Sequence, residues 1–235
     1  MFASSLTSSW TPMAVNKKLL ITGAGGFIGS RLSSFLTDKG YEVIKYTGDI
    51  NDVAALENCF RNVDVAVHLA AKCDKVCARR EKDSFISVNV LGTMNVIDLC
   101  LKYNCRLIHF SSISAKTHGD MYGLSKAFAE EIVKFYAKNR GLPAVIIRPS
   151  GVYDENKNDR LGKPMNFSKG QHYPIAYLVK DVERIIQNHN FSSKCETFTP
   201  KLFFDYYVLY WLKRIRNKMN RSISRLKPNP DNYDR

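Results

Sequence analysis

Short apolar runs alternate along residues 18–148 with stretches whose apolar positions recur at helical spacing. Lys18-Leu19-Leu20-Ile21-Thr22 is a run of the kind a buried strand shows. After a cluster of glycines, Ile28, Leu32, Phe35 and Leu36 return at the i, i+4, i+7, i+8 positions of one helix face. Continued along the chain, the pattern predicts strands near 18–22, 41–46, 64–69, 106–111 and 143–148. It predicts helices near 27–39, 52–60, 84–103 and 122–140. Strand and helix in strict alternation predict an α/β fold, a doubly wound parallel sheet with helices on both faces. Lys39-Gly40-Tyr41 reads as a helix C-cap leading into the second strand. Pro143 separates the last of these helices from the last strand.

The glycines add chemistry to this outline. Gly23, Gly26 and Gly29 stand at G-x-x-G-x-x-G spacing, between the first strand and the first helix. Glycine lets such a turn close and lets backbone approach a pyrophosphate at a helix N-terminus, where unpaired N–H groups favour anions. That position between strand and helix is the context a dinucleotide-binding turn requires.

Two further segments carry reactive side chains. Tyr122 and Lys126 are four residues apart in Tyr122-Gly-Leu-Ser-Lys126, which puts them on one helix face. A nearby ammonium favours phenolate, so the tyrosine pKa is expected to move from about 10 toward neutrality. A phenol tuned this way can pass a proton to or from a carbinol or carbonyl. The predicted strand Arg106–Phe110 ends in Ser111 and Ser112, at the end of an open sheet that faces its ligand crevice. Ser112 is the first candidate to hold the substrate oxygen, and Ser114 the second.

These residues together resemble the short-chain dehydrogenase/reductase superfamily, and within it the extended branch, the NAD-dependent epimerase/dehydratase family. The matching segments are Thr22–Gly29, Gly48-Asp49-Ile50-Asn51-Asp52, Val67-His68-Leu69-Ala70-Ala71, Asn89-Val90-Leu91-Gly92-Thr93, Phe110-Ser111-Ser112, Tyr122–Lys126 and Arg148-Pro149, in the family order. They cover roughly residues 17–153. The resemblance implies a Rossmann-type sheet that binds NAD, with NADP left open. It implies Tyr122 as general acid/base, Lys126 as the group that lowers its pKa and holds the nicotinamide ribose, and Ser112 as the group that orients the substrate. It implies a cofactor cradle of Gly23, Gly26, Phe27, Ile28 and Gly29, with Asp49 and Ile50 toward the adenine. Leu69, Ala70 and Ala71 would line the dinucleotide, Asn89 would support the helix behind the site, and no metal is expected. The implied substrate is a nucleotide sugar, and a homodimer is the expected assembly.

Two features depart from the family. The second strand runs almost at once into Thr47-Gly48-Asp49, where most members place another helix and strand. The acidic residue that usually ends this strand and accepts the ribose 2′-hydroxyl is therefore not evident, and Lys45 is equally well a phosphate contact or a solvated strand residue. The second departure is a truncated C-terminal substrate region. The resulting organisation is an N-terminal extension over 1–16, an NAD(P)-binding domain over 17–153, a shortened substrate region over 154–200 and an apolar-basic tail over 201–235. Val179–Ile186 resembles the family's late helix.

Composition is that of a globular chain, with 45% hydrophobic and 24% charged residues. No uninterrupted apolar run reaches the roughly 18 residues that span a bilayer. Met1–Ala14 lacks a basic region and a long apolar core, so no signal peptide is expected. Met13 is a second candidate start. The six cysteines are scattered, which points to reduced thiols and a cytoplasmic protein. Nine Lys and Arg against three Asp give residues 201–235 six of the thirteen net positive charges. An aromatic-rich stretch there precedes a cationic one, so residues 202–225 are either a packed terminal helix or a contact to an anionic membrane surface. Nucleic acid fits the pattern less well. Three functions follow: an oxidoreductase or epimerase acting on a nucleotide sugar, a reductase of a lipid-linked or sterol-like carbonyl, or a non-catalytic dinucleotide-binding protein.

Overall fold

A computed structural model of the chain describes residues 17–73, 82–166, 172–188 and 195–200. The expected N-terminal extension, the 202–225 tail and Cys77 lie outside the described residues. Five parallel strands appear where the apolar runs predict them: β1 (Lys18–Thr22), β2 (Glu42–Tyr46), β3 (Val65–His68), β4 (Arg106–Phe110) and β5 (Ala144–Ile147). Two three-residue strands that the pattern does not predict, β6 (Gly151–Tyr153) and β7 (His172–Pro174), pair in parallel as a small second sheet. A third, β8 (Glu196–Phe198), adds to β5. The main sheet has the order β2-β1-β3-β4-β5-β8, all parallel. The order reverses between β1 and β3, the place where an open α/β sheet forms its ligand crevice.

The helices are α1 (Phe27–Asp38), α2 (Val53–Glu57), α3 (Lys82–Ile86), α4 (Gly92–Lys102), α5 (Met121–Arg140) and α6 (Ile175–Asn188). Alternate strand residues point to opposite faces, and each face has its own core. Leu19, Ile21, Val65, Val67, Ile108 and Val145 pack with Leu32 and Leu36 of α1 and Leu178, Val182 and Ile186 of α6. Leu20, Ala66, Leu107, Ala144 and Ile146 pack with Leu56, Val96, Ile97 and Val133 from α2, α4 and α5. Burying each such Leu, Ile or Val contributes about 1.5–3 kcal/mol, which is why the period-2 pattern sets the register. β2 runs directly into the turn before α2, and no described strand lies outside it.

Helix α2 is shorter than predicted. Cys59 and Phe60 donate to Leu56 and Glu57, three residues back, so the chain tightens out of the α-helix after Glu57. The segment α3–α4 fills the helix expected near 84–103. It is continuous over Lys82–Lys102 through a π-helical turn (Ser87–Leu91), and by length and composition alone could cross a membrane. Polar residues interrupt its apolar run, and half of its most apolar window is buried, with Phe85, Val96, Ile97 and Cys100 in the core. Cys59, Cys73, Cys100, Cys105 and Cys195 are free thiols.

Candidate active site

The turn after β1 is built so that only glycine fits at two points. Gly23 has φ +68°, and a Cβ there would stand 2.7 Å from the Ala70 backbone nitrogen. A Cβ on Gly29 would stand 2.2 Å from the Gly23 carbonyl oxygen. Gly26 begins α1 with no side-chain cap, so the amides of Phe27, Ile28 and Gly29 form an open helix N-terminus. The backbone amide of Leu69 donates to the Thr22 carbonyl at 3.1 Å and that of Ala70 to Thr22 Oγ1 at 3.4 Å. Leu69, Ala70 and Ala71 therefore follow β3 directly alongside the glycine turn. Ala24 donates to the Tyr46 carbonyl at 3.2 Å, which joins the end of β2 to the same turn. Beyond it, Asp49 is exposed and its carboxylate accepts the Asn51 amide, while Ile50 is buried where a Cβ on Gly92 would meet it at 2.4 Å.

A buried polar chain lies under this turn, and of its members the sequence assigned a role to Asn89 alone. Thr22 Oγ1 is 2.7 Å from His68 Nδ1, and His68 Nε2 is 3.1 Å from Thr93 Oγ1. Thr93 spends its one proton on the Asn89 carbonyl at 2.7 Å. His68 therefore donates through Nε2 and accepts from Thr22 through Nδ1, and full burial pushes its pKa down to about 3. Asn89 has no exposed surface. Its side chain accepts the Lys72 amide (2.7 Å) and donates to the Lys72 carbonyl (2.9 Å) and to Ser125 Oγ (2.8 Å). Ser125 in turn donates to the Tyr122 carbonyl at 2.9 Å. Asn89 thus ties the strand behind Ala71 to the helix that carries Tyr122, and it sits in the π-helical turn, a device common at functional sites. For Thr22, His68 and Thr93 the only signal in the sequence was a polar His68 inside an apolar strand.

Helix α5 begins at Asp120, whose carboxylate accepts the Gly123 amide at 2.7 Å. A Cβ on Gly123 would stand 2.6 Å from the Ser114 carbonyl oxygen, so the helix start lies hard against the turn Ile113–Lys116 after β4. This close approach sets the Tyr122 phenol beside Ser112, whose hydroxyl favours the phenolate. Ser112 also accepts the Ser114 amide at 3.2 Å. Of the two serine candidates, Ser112 is the one paired with the phenol. One turn along, Lys126 is buried, and among the described residues no hydrogen bond or ion pair holds its ammonium. A further turn along, Glu130 receives a bidentate ion pair from Arg148 at the end of β5 and a hydrogen bond from Ser111 at the end of β4.

Tyr122 departs from expectation in its electrostatics. Burial pushes the phenol up to about 12, and the Cys73 thiol adds to this. The Ser112 hydroxyl and the Arg160 guanidinium pull it back only in part. Burial likewise pulls Lys126 down to about 8, against the opposing charge of Glu130. Desolvation outweighs the groups that favour phenolate. Arg160 reaches this edge from the segment after β6 and donates to the Cys73 carbonyl at 2.9 Å.

These shifts predict a pH dependence of stability. The unfolded chain keeps a proton on Lys126 up to its ordinary 10.5, the folded protein only up to about 8. The unfolded state therefore binds more protons between pH 8 and 10.5, and stability from this group rises through that window. Lys126→Met is expected to raise stability at pH 7 by about 1–2 kcal/mol, and the gain shrinks toward pH 10. Urea unfolding at both pH values measures this, and a variant no more stable than the parent at pH 7 contradicts it.

A profile of the NAD dependent epimerase/dehydratase family matches residues 19–169. A putative UDP-glucose 4-epimerase of Methanocaldococcus jannaschii is 29% identical over 180 residues, 60% of this chain and 58% of that protein. A UDP-glucose 4-epimerase of Vibrio cholerae is 28% identical over 212 residues, 74% of this chain and 64% of that protein. The chain thus spans about six-tenths of the length of these relatives. Among solved structures, a UDP-glucose 4-epimerase of Thermotoga maritima with UDP-glucose superposes with a TM-score of 0.66 at 21% identity. That match covers 77% of this chain and 76% of the other, and it shows a shared fold.

Proposed function

The chain belongs to the NAD-dependent epimerase/dehydratase family, and on that premise we propose that it moves a hydride between NAD and a carbinol or ketone carbon of a nucleotide sugar. The observation that carries this reading is the placement of the Tyr122 phenol beside Ser112, with Lys126 buried one turn along α5. The ends of β1, β3 and β4 are neighbours in the sheet, so this pair shares one edge with the glycine turn. The glycine turn fits the cofactor, because a Cβ on Gly23 or Gly29 would strike the Ala70 or Gly23 backbone, so only glycine lets the turn close against the uncapped N-terminus of α1, where a pyrophosphate binds. When bound, NAD supplies the hydride acceptor and donor.

The amides of Phe27, Ile28 and Gly29 hold the pyrophosphate, and Leu69, Ala70 and Ala71 form the facing wall. Asp49 and Ile50 receive the adenine. The Lys126 ammonium, without a protein partner among the described residues, is a donor for the nicotinamide ribose hydroxyls. Ser112 holds the substrate oxygen beside the Tyr122 phenol. At neutral pH the phenol keeps its proton and is ready to donate it to a carbonyl oxygen that is being reduced. A homodimer through α5 belongs to the same reading, since Phe128 and Phe135 stand exposed seven residues apart on that helix.

The test mixes the purified protein with NAD+ and a panel of UDP-hexoses, and with NADH and their 4-keto forms. Dinucleotide binding followed by C4 epimer or by net oxidation of NADH is the expected result. Stoichiometric NAD released on denaturation marks an epimerase, and net NADH turnover marks a reductase. A protein that binds no nicotinamide dinucleotide overturns the reading. Sedimentation equilibrium on the same sample tests the dimer, and a monomer removes it.

A further inference from the structure

The selectivity of a dinucleotide site between NAD and NADP is set where the second strand meets the glycine turn, because the adenosine ribose 2′-oxygen falls there. An Asp or Glu at that place binds a 2′-hydroxyl and repels a 2′-phosphate. In this protein the place belongs to Thr47. The Tyr46 carbonyl before it accepts the Ala24 amide at 3.2 Å, and the Thr47 methyl stands 3.4 Å from where a Cβ on Gly25 would be. Thr47 is exposed and carries no charge.

The surroundings do not supply the missing carboxylate. Gly48 follows with no side chain, and a Cβ there would strike the Tyr46 ring at 2.9–3.3 Å, so no acid can be placed at that position without moving the ring. Asp49 is turned into its own loop, its carbonyl accepting Tyr46 Oη at 2.7 Å and its carboxylate the Asn51 amide at 2.9 Å. Asp52 caps α2 through the Ala55 amide. Glu42 sits at the opposite end of β2, paired with Lys18 at 2.9 Å. The cations of this flank, Lys45 on β2 and Arg31 on α1, are exposed. No described strand lies outside β2, so the flank is open to solvent.

Resting on the dinucleotide site proposed above, we propose that the ribose subsite at Thr47 accepts a 2′-phosphate, so that the protein binds NADPH about as well as NADH. The shortened link after β2 removes the acidic gate and leaves a hydroxyl in its place.

Titration calorimetry with NADH and with NADPH tests this without any turnover. The two Kd values are expected to agree within about 10-fold, and Thr47→Asp is expected to weaken NADPH by about 10-fold or more relative to NADH. Thr47→Glu provides a second placement of the charge should the aspartate variant be poorly folded. NADH binding with NADPH weaker by more than that factor overturns the inference and leaves the proposed function standing. Acidic variants that leave the ratio unchanged also overturn it, since Thr47 would then not set selectivity. If neither dinucleotide binds, the proposed function fails together with it.

Discussion

Tyr122→Phe is expected to lower the rate of hydride transfer by about 10²–10⁴-fold, the usual contribution of a positioned general acid. The change removes one oxygen and leaves the ring. α5 keeps its Asp120 cap, and Ser125 still donates to the residue-122 carbonyl, so the fold and the position of Lys126 are retained. Ser112 loses its phenol partner, but it remains at the crevice edge and still accepts the Ser114 amide. NADH affinity, measured by titration, should therefore stay within about 3-fold while the single-turnover rate at 340 nm collapses. The parent enzyme should also lose carbonyl reduction as pH rises through about 8, where Lys126 gives up its proton while the Tyr122 phenol keeps its own. A phenylalanine variant that transfers hydride at the parent rate would show that Tyr122 moves no proton.

The largest effect on stability is expected at Glu130. Its carboxylate is buried and takes two bonds from Arg148 and one from Ser111, joining α5 to the ends of β4 and β5. Removing one member of such a buried pair strands the other charge, at a cost of about 3–5 kcal/mol. Glu130→Ala should fall in that range in urea unfolding, and Arg148→Met should behave similarly. Combining Glu130→Leu with Arg148→Met should recover much of the loss, because neither charge is then buried alone. Single variants that each cost under about 1 kcal/mol would mean that solvent reaches the pair freely. The same carboxylate favours the charged form of Lys126, so its loss should also move the upper limb of the pH–rate profile to lower pH.

The parts of this protein that could be read along the chain are those with a local cause. The apolar runs of β1, β3, β4 and β5 are buried on both faces, and a strand in that situation shows as an unbroken run. Gly23 and Gly29 were legible because a turn this tight tolerates no side chain. The three strands the pattern missed have three residues each, too short for a period. The roles of Thr22, His68 and Thr93 escaped for a different reason. The two bonds of His68 join residues 46 and 25 positions apart, and no spacing rule links such partners.

The sequence by itself determined the order of strands and helices, the glycine cradle and the shared helix face of Tyr122 and Lys126, since each depends on neighbours within a turn or two. Tertiary structure alone decided that Ser112 rather than Ser114 meets the phenol, through the contact of Gly123 with the Ser114 backbone. It also decided the sign of the tyrosine's electrostatics. Spacing reports that a cation lies on the same helix face, but the pKa follows lost solvent first, and only packing sets how much solvent is lost.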